Sequence, residues 1–281
     1  MAGGTSPQPE HLLTELPVAR VLLSVALVYA GLCLLAYLVS DRMIFLPPPA
    51  TYRDSGEILS VTTADGVRIS AIHLVNPPAE YTILYSHGNA EDLGLIAPLL
   101  ARLRDWGFAV FAYDYRGYGT SQGTPSESGA YEDVEAAYAY LTRALGVSPR
   151  RIIAYGRSVG SGPAVDLATR RPLAGLIVES GFLTAFRVLT RVPLLPFDKF
   201  RNVDKIARVS CPVLVMHGVQ DEVVPLAHGR RLFGAAPGPK RFLWVEGAGH
   251  NDFMLVAGDR QAQALHEFAA LVRRSQGARG T

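Results

Sequence analysis

The stretch "IIAYGRSVGSGPAV", residues 152–165, contains two overlapping motifs that predict different chemistry. Gly156, Ser158 and Gly160 form G-x-S-x-G, in which a serine nucleophile sits at a sharp strand-to-helix turn. Gly156, Gly160 and Gly162 form G-x-x-x-G-x-G, a pattern found in dinucleotide-binding loops. Both interpretations require a strand before the motif and a helix after it. The rest of the chain has to decide between them.

Length and composition set broad limits on the protein. With 281 residues, 49% of them hydrophobic, the chain is long enough for one large core. A net charge of +2 from dispersed lysines and arginines gives no indication of a nucleic-acid partner, and none is expected. Two cysteines, Cys33 and Cys211, predict no disulfide framework. No C-x-x-C pair or H-E-x-x-H helix occurs, so we expect neither a metal site nor a cofactor.

The segment "VLLSVALVYAGLCLLAYLVS", residues 21–40, carries no charged residue. Its length matches the roughly 20 helical residues that cross a bilayer core. A cleaved signal peptide is the main rival, with Val28-Tyr29-Ala30 as a small-residue cleavage site. However, the apolar run continues to Val39, and no basic region precedes it. We therefore predict a retained single-pass membrane anchor that follows a polar tail, residues 1–20.

The residues around this segment suggest an orientation and a linker. Arg20 precedes the segment and Arg42 and Arg53 follow it, so an excess of one arginine favours a cytoplasmic location for the domain that follows. Three successive prolines in "FLPPPATYRDSG", residues 45–56, exclude a helix and predict an extended spacer. We divide the remainder into a spacer over 41–56, a folded domain over 57–275 and a tail over 276–281.

Strand-like and helix-like segments alternate through the folded domain. The first two strands look like a hairpin, and later ones are apolar on both faces, as in a parallel sheet covered by helices. This predicts an α/β fold with a mostly parallel, eight-stranded sheet and helices on both faces. The expected strands are "EILSVTT", "VRISAIHLV", "YTILYSH", "FAVFAYD", "RRIIAYG", "LAGLIVES", "PVLVMHG" and "RFLWVEG". The expected helices cover 92–106, 131–145, 159–170, 226–235 and 259–274.

A long connection between the sixth and seventh strands interrupts this alternation. Residues of about 182–210 predict a small cap over the carboxyl ends of the strands, where open α/β sheets place their sites. A surface helix and loop packed for stability is the alternative. The segment is rich in cations, which either face anionic lipid or form an ordinary solvated surface: Arg187, Arg191, Lys199, Arg201, Lys205 and Arg208.

The dinucleotide interpretation lacks its partner residues. Glu179 follows at about the distance expected of a ribose-binding acid, but the motif comes after at least two strand–helix units rather than in the first. Dehydrogenases with this glycine pattern also place a tyrosine four residues before a catalytic lysine. The lysines Lys199, Lys205 and Lys240 are preceded at that spacing by Leu195, Arg201 and Ala236.

The serine interpretation finds the partners it needs. A serine hydroxyl needs a base to remove its proton, and an acid that orients the base. Asp221 follows an apolar strand and His250 follows the next, which gives the order Ser158, Asp221, His250 at one edge of the sheet. Glu222 is the alternative acid, with Asp221 as a helix cap. Five of the other six histidines are expected to be structural, or to lie in a tail or on a helix: His73, His217, His228, His11 and His266.

Backbone amides would complete such a site by stabilising an oxyanion. One comes from the residue after the nucleophile, Val159, and one from the loop after an earlier strand. "YSHGNAED" provides that loop, and its glycine permits a tight turn that points the amide of Asn89 or Ala90 inward. We favour Asn89.

Several longer segments resemble one known family. They are "SHGNAEDLG", "YDYRGYGTSQGTPSE", "YGRSVGSGPAVDLA", "FDKF", "VDKIARVSCPVLVMHGVQDEVVPLAHG" and "GAGHND". Together they resemble the α/β-hydrolase superfamily, and most closely its membrane-associated branch, which includes protein depalmitoylases. The resemblance extends from about residue 58 to 271. It implies an α/β-hydrolase fold, Ser158, Asp221 and His250 as a catalytic triad, an oxyanion loop at His-Gly-Asn-Ala, and structural roles for Asp114 and Arg116.

The resemblance and the residues together predict a membrane-anchored serine hydrolase without a cofactor. It would cleave esters or thioesters through an acyl-enzyme, either as an acyl-protein thioesterase on lipidated proteins or as a general carboxylesterase or lipase. Membrane lipid is the other expected partner, and a non-catalytic tethered binding module is the remote alternative. The chain departs from the eukaryotic depalmitoylases, which carry a cysteine-rich, acylated N-terminus, because a hydrophobic helix stands there instead.

Overall fold

The computed structural model describes residues 10–54, 56–190 and 192–278, with side chains of the first helix from Val18 onward. The chain divides into two units between Met43 and Ile44. The long helix α1, Glu10–Ile44, forms the described part of the first unit, and its last residue, Ile44, belongs to the second unit. Residues 1–9 of the predicted tail lie outside the described residues.

Helix α1 extends beyond the predicted anchor at both ends. Its apolar part is Val18–Ile44, in which the most apolar window of 18 residues has a mean hydropathy of 2.4 and no buried residue. At 1.5 Å per residue this part measures about 40 Å, more than the roughly 30 Å of a bilayer core. Among the described residues, this is the one helix long and apolar enough to cross a membrane. Residues 41–44 of the predicted spacer are therefore helical.

The second unit is built on an eight-stranded sheet in the order β1-β2-β4-β3-β5-β6-β7-β8. β1 and β2 form the expected antiparallel hairpin, β2 pairs antiparallel with β4, and all other pairs are parallel. The sheet is thus mostly parallel, as predicted. The strands are β1 Leu59–Thr62, β2 Arg68–Leu74, β3 Thr82–Ser86, β4 Ala109–Tyr113, β5 Ile152–Arg157, β6 Gly175–Glu179, β7 Val213–Gly218 and β8 Lys240–Val245.

Helices cover both faces of this sheet, because alternate strand residues point to opposite sides. On β3, Leu84 joins the core under one set of helices, while Ile83 and Tyr85 join the core under the other. The first set comprises α3 Glu127–Ala139, α4 Ser161–Arg170, α6 Asn202–Ile206 and α7 Leu226–Ala235. The second comprises α2 Leu93–Asp105, α8 Phe253–Ala257 and α9 Asp259–Gly277.

The five predicted helices are present; α7 has the predicted ends, and the other four differ at one or both ends. α3 starts at Glu127, four residues before the predicted helix, because Ser126 caps it by accepting from the Gly129 amide. A wider helical turn, Tyr140–Ala144, continues it. α9 runs three residues past its predicted end, to Gly277. The short helix α8 between His250 and α9 was not predicted.

The segment predicted as a cap contains little helix. Helix α5 spans only Phe186–Leu189, and the described residues between it and α6, 190 and 192–201, contain no further helix or strand. Several of its cations lie in ion pairs: Lys205 with Asp166 at 2.6 Å, Arg201 with Asp204 at 2.6 Å, and Lys199 with Glu127 at 4.0 Å. Arg191 lies outside the described residues.

The proline-containing segment belongs to the second unit and is packed within it. Phe45 is only 3% exposed. The Thr51 amide and hydroxyl donate to Asp92 at 2.7 and 2.5 Å, and the Tyr52 hydroxyl donates to Asp114 at 2.6 Å. The extended conformation was predicted, but these contacts were not, because a proline pattern specifies backbone shape and no partner.

Candidate active site

Ser158 occupies a strained turn at the end of β5, near the centre of the sheet. Its φ of +51° lies in the left-handed region, which is uncommon for a residue with a side chain. A Cβ on Gly156 would lie 2.3 Å from the Gly160 carbonyl oxygen, and a Cβ on Gly160 would lie 2.1 Å from that of Ser86. Both glycines are therefore required for the close approach of strand and helix that the motif predicts.

Gly162, the third glycine of the dinucleotide pattern, has a different neighbour. A Cβ there would lie 2.2 Å from the ring of Phe200. Glu179, the proposed ribose-binding acid, is 2% exposed and hydrogen-bonds to the Tyr155 hydroxyl. Gly162 is thus packed against a ring and Glu179 is hydrogen-bonded, both inside the domain.

The structure brings Ser158, His250 and Asp221 together at the carboxyl ends of β5, β8 and β7. Ser158 Oγ lies 3.0 Å from His250 Nε2, in position to donate its proton. His250 Nδ1 lies 2.8 and 3.0 Å from the two carboxylate oxygens of Asp221. All three side chains are buried. This chain of hydrogen bonds is the arrangement that activates a serine hydroxyl.

Further groups hold the Asp221 carboxylate. The amides of Val223 and Val224 donate to it at 3.0 and 2.7 Å, and His217 Nε2 lies 3.3 Å away. Burial works to raise the pKa of Asp221, but hydrogen bonds from His217 and His250 outweigh it and keep the pKa below its usual value. Asp221 is therefore ionised at neutral pH and suited to orient an imidazole.

Glu222, the alternative acid, contacts a different part of His250. Its Oε2 accepts from the His250 backbone amide at 3.4 Å. The carboxylate beside the imidazole ring is that of Asp221.

Arg157, which the sequence reasoning missed, links several parts of the site. Its Nη2 donates to the His250 carbonyl oxygen at 2.9 Å and to Asn251 at 3.3 Å. Its Nη1 donates to Glu91, whose carboxylate accepts from the Gly88 amide at 2.7 Å. One buried guanidinium thus reaches the loops of the candidate base and of the candidate oxyanion site.

The loop after β3 has a tightly specified conformation. Ala90 has a φ of +54°, and the Ala90 amide donates to Asn89 Oδ1 at 3.0 Å. Within the part of the chain that the structure describes, the backbone amide of Asn89 donates to no protein acceptor. The Asn89 amide is therefore available to a ligand.

Buried charges surround this loop. His87 is fully buried, with Nε2 at 3.3 Å from Asp114 Oδ1 and Nδ1 at 2.7 Å from the Gly88 carbonyl oxygen. Burial favours the neutral ring, but the Asp114 carboxylate outweighs it and raises the pKa of His87 above its usual value. Asp114 also accepts from the Leu93 amide at 3.0 Å. The expected bracing by Asp114 is thus present.

The remaining highlighted residues lie outside this site. Arg116 forms ion pairs with Asp65 at 2.8 Å and Asp133 at 2.9 Å. The pKa of His73 is lowered by burial, and its ring packs on Phe111. His266 stacks on Phe108. No group of three or more His, Cys, Asp or Glu side chains in residues 10–54, 56–190 and 192–278 is arranged to hold a metal ion.

A cavity of about 500 Å³ adjoins the segment after Asp221. It lies between the predicted cap and the start of α7. Apolar side chains and two arginines line it: Leu183, Arg187, Val188, Leu189, Pro225, Ala227 and Arg231, with Thr190 and His228. The His228 ring is fixed there, because its Nδ1 accepts from the Leu183 amide at 3.2 Å.

Comparison with known proteins places this geometry in context. A family model described as "Serine aminopeptidase, S33" matches residues 77–195. The chain is 37% identical over 248 residues to alpha/beta hydrolase domain-containing protein 17B of Homo sapiens, covering 77% of this chain and 86% of the relative. It is 43% identical over 209 residues to protein 17C of Mus musculus, covering 73% of this chain and 65% of the relative.

Solved structures share the fold at lower identity. An esterase of Pyrococcus furiosus, Pf2001, superposes with a TM-score of 0.67 at 18% identity, covering 79% of this chain and 97% of the esterase. The esterase domain of a Rhodothermus marinus protein has a TM-score of 0.58 at 19% identity, covering 77% and 97%.

Proposed function

The chain belongs to the α/β-hydrolase superfamily, in the family of the alpha/beta hydrolase domain-containing 17 proteins, and from this premise we propose that it is a membrane-anchored serine hydrolase that cleaves acyl esters or thioesters. The observation that carries the proposal is the continuous hydrogen-bonded chain from Ser158 Oγ through His250 to Asp221. The strained turn at Ser158 supports it, because strain of this kind is typical of catalytic residues.

The proposed reaction has two halves. Ser158 Oγ attacks the acyl carbonyl carbon while His250 Nε2 takes the hydroxyl proton, and Asp221 stabilises the resulting imidazolium. The amides of Asn89 and Val159 donate to the oxyanion. Collapse of this intermediate expels the alcohol or thiol, which leaves with the proton from His250. Water then attacks the acyl-enzyme with His250 as base, and a carboxylic acid and free Ser158 are released.

A fluorophosphonate probe tests the nucleophile. It should label the wild-type chain and Ser158→Ala should not be labelled, while Ser128→Ala, at an exposed serine of α3, should be labelled normally. Normal labelling of Ser158→Ala would show that Ser158 is not the nucleophile. Folding of each variant is checked by its thermal midpoint.

We further propose acylated proteins at a membrane surface as the substrate, by similarity to the depalmitoylase-containing branch and from the apolar helix α1. A general carboxylesterase or lipase is the second candidate, favoured by the esterase fold of the structural neighbours. Matched esters and thioesters of increasing acyl length separate the two. A preference for long-chain thioesters supports the first candidate, and a preference for short esters the second.

Helix α1 is proposed as the membrane anchor, with lipid as its partner. The arginine count favours the cytoplasmic side for the hydrolase domain. An anchored chain stays in the membrane pellet after alkaline carbonate extraction and is released by detergent. Release by carbonate alone would contradict the anchor. Protease accessibility before and after permeabilisation reports the side.

A further inference from the structure

The side chain of Asn89 holds the residues that leave helix α1. Its Nδ2 donates to the Ile44 carbonyl oxygen at 2.6 Å, and its Oδ1 accepts from the Leu46 amide at 2.9 Å. Ile44 is the last residue of α1. The residue proposed to offer its backbone amide to the oxyanion therefore uses its side chain to bind the end of the candidate membrane helix.

Phe45, which lies between Ile44 and Leu46, is held in an aromatic pocket. The ring of Phe45 packs edge-on against Tyr115, Tyr118 and Phe200, with centroids 6.3, 6.3 and 5.8 Å apart. The Tyr118 hydroxyl donates to Asn89 Oδ1 at 2.7 Å and accepts from the Leu46 amide at 3.0 Å. Phe45 and Asn89 are thus held by the same tyrosine.

The same aromatic pocket also contacts the start of the loop that follows β3. The Tyr115 hydroxyl donates to the His87 carbonyl oxygen at 2.8 Å. Farther along, Thr51 donates to Asp92, which caps α2 by accepting from the Leu95 amide at 2.9 Å. We call residues 44–52 the strap. The strap contacts Asn89 and Asp92 directly, and it contacts His87 through Tyr115. It therefore supports the loop of residues 87–92 at its start, middle and end.

The strap suits a positioning role because its own backbone is restricted. Pro47, Pro48 and Pro49 have fixed φ angles, so little conformational entropy is lost when Phe45 and Thr51 bind at their spacing. The loop it contacts contains the left-handed residue Ala90, and such a conformation persists only where the surroundings impose it.

We propose that the strap is a positioning element of the catalytic site: it fixes the Asn89 carboxamide and thereby aims the Asn89 backbone amide at the oxyanion. The inference rests on the proposed hydrolase function. It means that the segment following α1 contributes to turnover as well as connecting the helix to the hydrolase domain. Loosening the strap should lower kcat more than it changes KM, because the amide acts on the transition state.

The test uses the full chain in detergent micelles with a chromogenic acyl ester. Asn89→Ala and Phe45→Ala should lower kcat at least about tenfold and change KM less than about threefold, as expected when a catalytic donor is misplaced. Two matched controls remove similar groups elsewhere. Asn76→Ala removes an amide that donates to the Arg104 and Phe108 carbonyls, and Phe108→Ala removes a ring that is 4% exposed. The control variants should keep the kcat of the wild type per folded molecule.

The outcomes separate this inference from the proposed function. Values of kcat for both strap variants within about twofold of their controls would overturn it. If either variant does not fold, Tyr118→Phe decides, since it keeps the ring and removes the hydroxyl shared by Asn89 and Leu46. A kcat at least about threefold lower supports the inference, and an unchanged kcat overturns it. Ser158→Ala runs in parallel: if it remains active, the proposed function itself fails.

Discussion

Arg157 Nη2 donates to the backbone carbonyl of His250 at 2.9 Å, so the residue before the candidate nucleophile holds the candidate base. The same guanidinium pairs with Glu91 and lies 3.4 Å from Glu179. Arg157 and Glu179 are 7% and 2% exposed, so the pair between them is shielded from water. The relative placement of nucleophile and base therefore depends on a residue that does no chemistry itself.

Arg157→Gln should lower both activity and stability. It leaves Glu91 and Glu179 without their cation, and removal of one partner from a buried pair costs about 3 kcal/mol or more. We expect kcat to fall at least about tenfold, because His250 is no longer fixed. Urea unfolding and ester hydrolysis measure the two effects. Arg171→Gln removes a more exposed ion pair with Glu135 and should lower the free energy of unfolding by less than about 1 kcal/mol. An equal loss for the two variants would contradict a stabilising role of the buried Arg157.

Gly160→Ala should destabilise the fold by about 3 kcal/mol and abolish activity. The added Cβ would collide with the Ser86 and His87 carbonyls, which belong to backbone and cannot move aside. Gly234→Ala is the matched control, since a Cβ in that position of α7 meets nothing within 4 Å. It should leave stability unchanged or raise it by about 0.5–1 kcal/mol. Thermal midpoints compare the two, and an active, stable Gly160→Ala enzyme would exclude the tight turn.

Asp221→Asn and Glu222→Gln distinguish the two candidate acids. Asparagine in place of Asp221 no longer stabilises the imidazolium, and in comparable sites this lowers kcat about 10⁴-fold. Among the described residues, the Glu222 carboxylate accepts one hydrogen bond, from the His250 amide at 3.4 Å, so Glu222→Gln should reduce kcat less than about fivefold. Steady-state hydrolysis gives both values. The reverse order of effects would assign the acid to Glu222.

Asp114→Asn should change the pH dependence of stability. Because Asp114 raises the pKa of His87 above 6.5, the folded state holds this proton more tightly than the unfolded state. The stabilisation is complete below about pH 6.5 and is lost as pH rises through the folded-state pKa. The wild-type free energy of unfolding should therefore fall above pH 6.5. The variant should be about 3 kcal/mol less stable at pH 6 and lack that slope, as measured by urea unfolding from pH 6 to 9. Parallel pH curves for the two proteins would show that His87 is not responsible.

Most of the fold follows from local patterns in the sequence. Eight strand-like runs became eight strands, and the central ones are apolar throughout because helices cover both of their faces. The boundaries were less predictable. α3 begins at Glu127 because Ser126 caps it, and α1 extends to Ile44 because helical hydrogen bonding continues past the last fully apolar turn. In the cap segment, helix α5 ends at Leu189, ahead of the helix-breaking residues Pro193 and Pro196.

The candidate site also contains residues that the sequence predicts and residues that it does not. The order Ser158, Asp221, His250 could be found in the sequence, because the carboxyl ends of parallel strands lie at one edge of a sheet. The contact of His217 with Asp221 had a faint signal, because His217 lies near the end of β7, four residues before Asp221, but the sequence predicts only a structural role for it. Arg157 gave no signal of its own, since its partners are distant in the chain.

The sheet, the nucleophile turn, the order of the three candidate catalytic residues and the apolar helix can all be predicted from the sequence. Each of these depends on neighbours a few residues away or on the regular alternation of strands and helices. The hold of Arg157 on His250 and the binding of Asn89 to Ile44 and Leu46 become visible in the folded chain alone, since these contacts span 93, 45 and 43 residues. No local periodicity encodes such contacts, because folding around the common core is what brings these side chains within hydrogen-bonding distance.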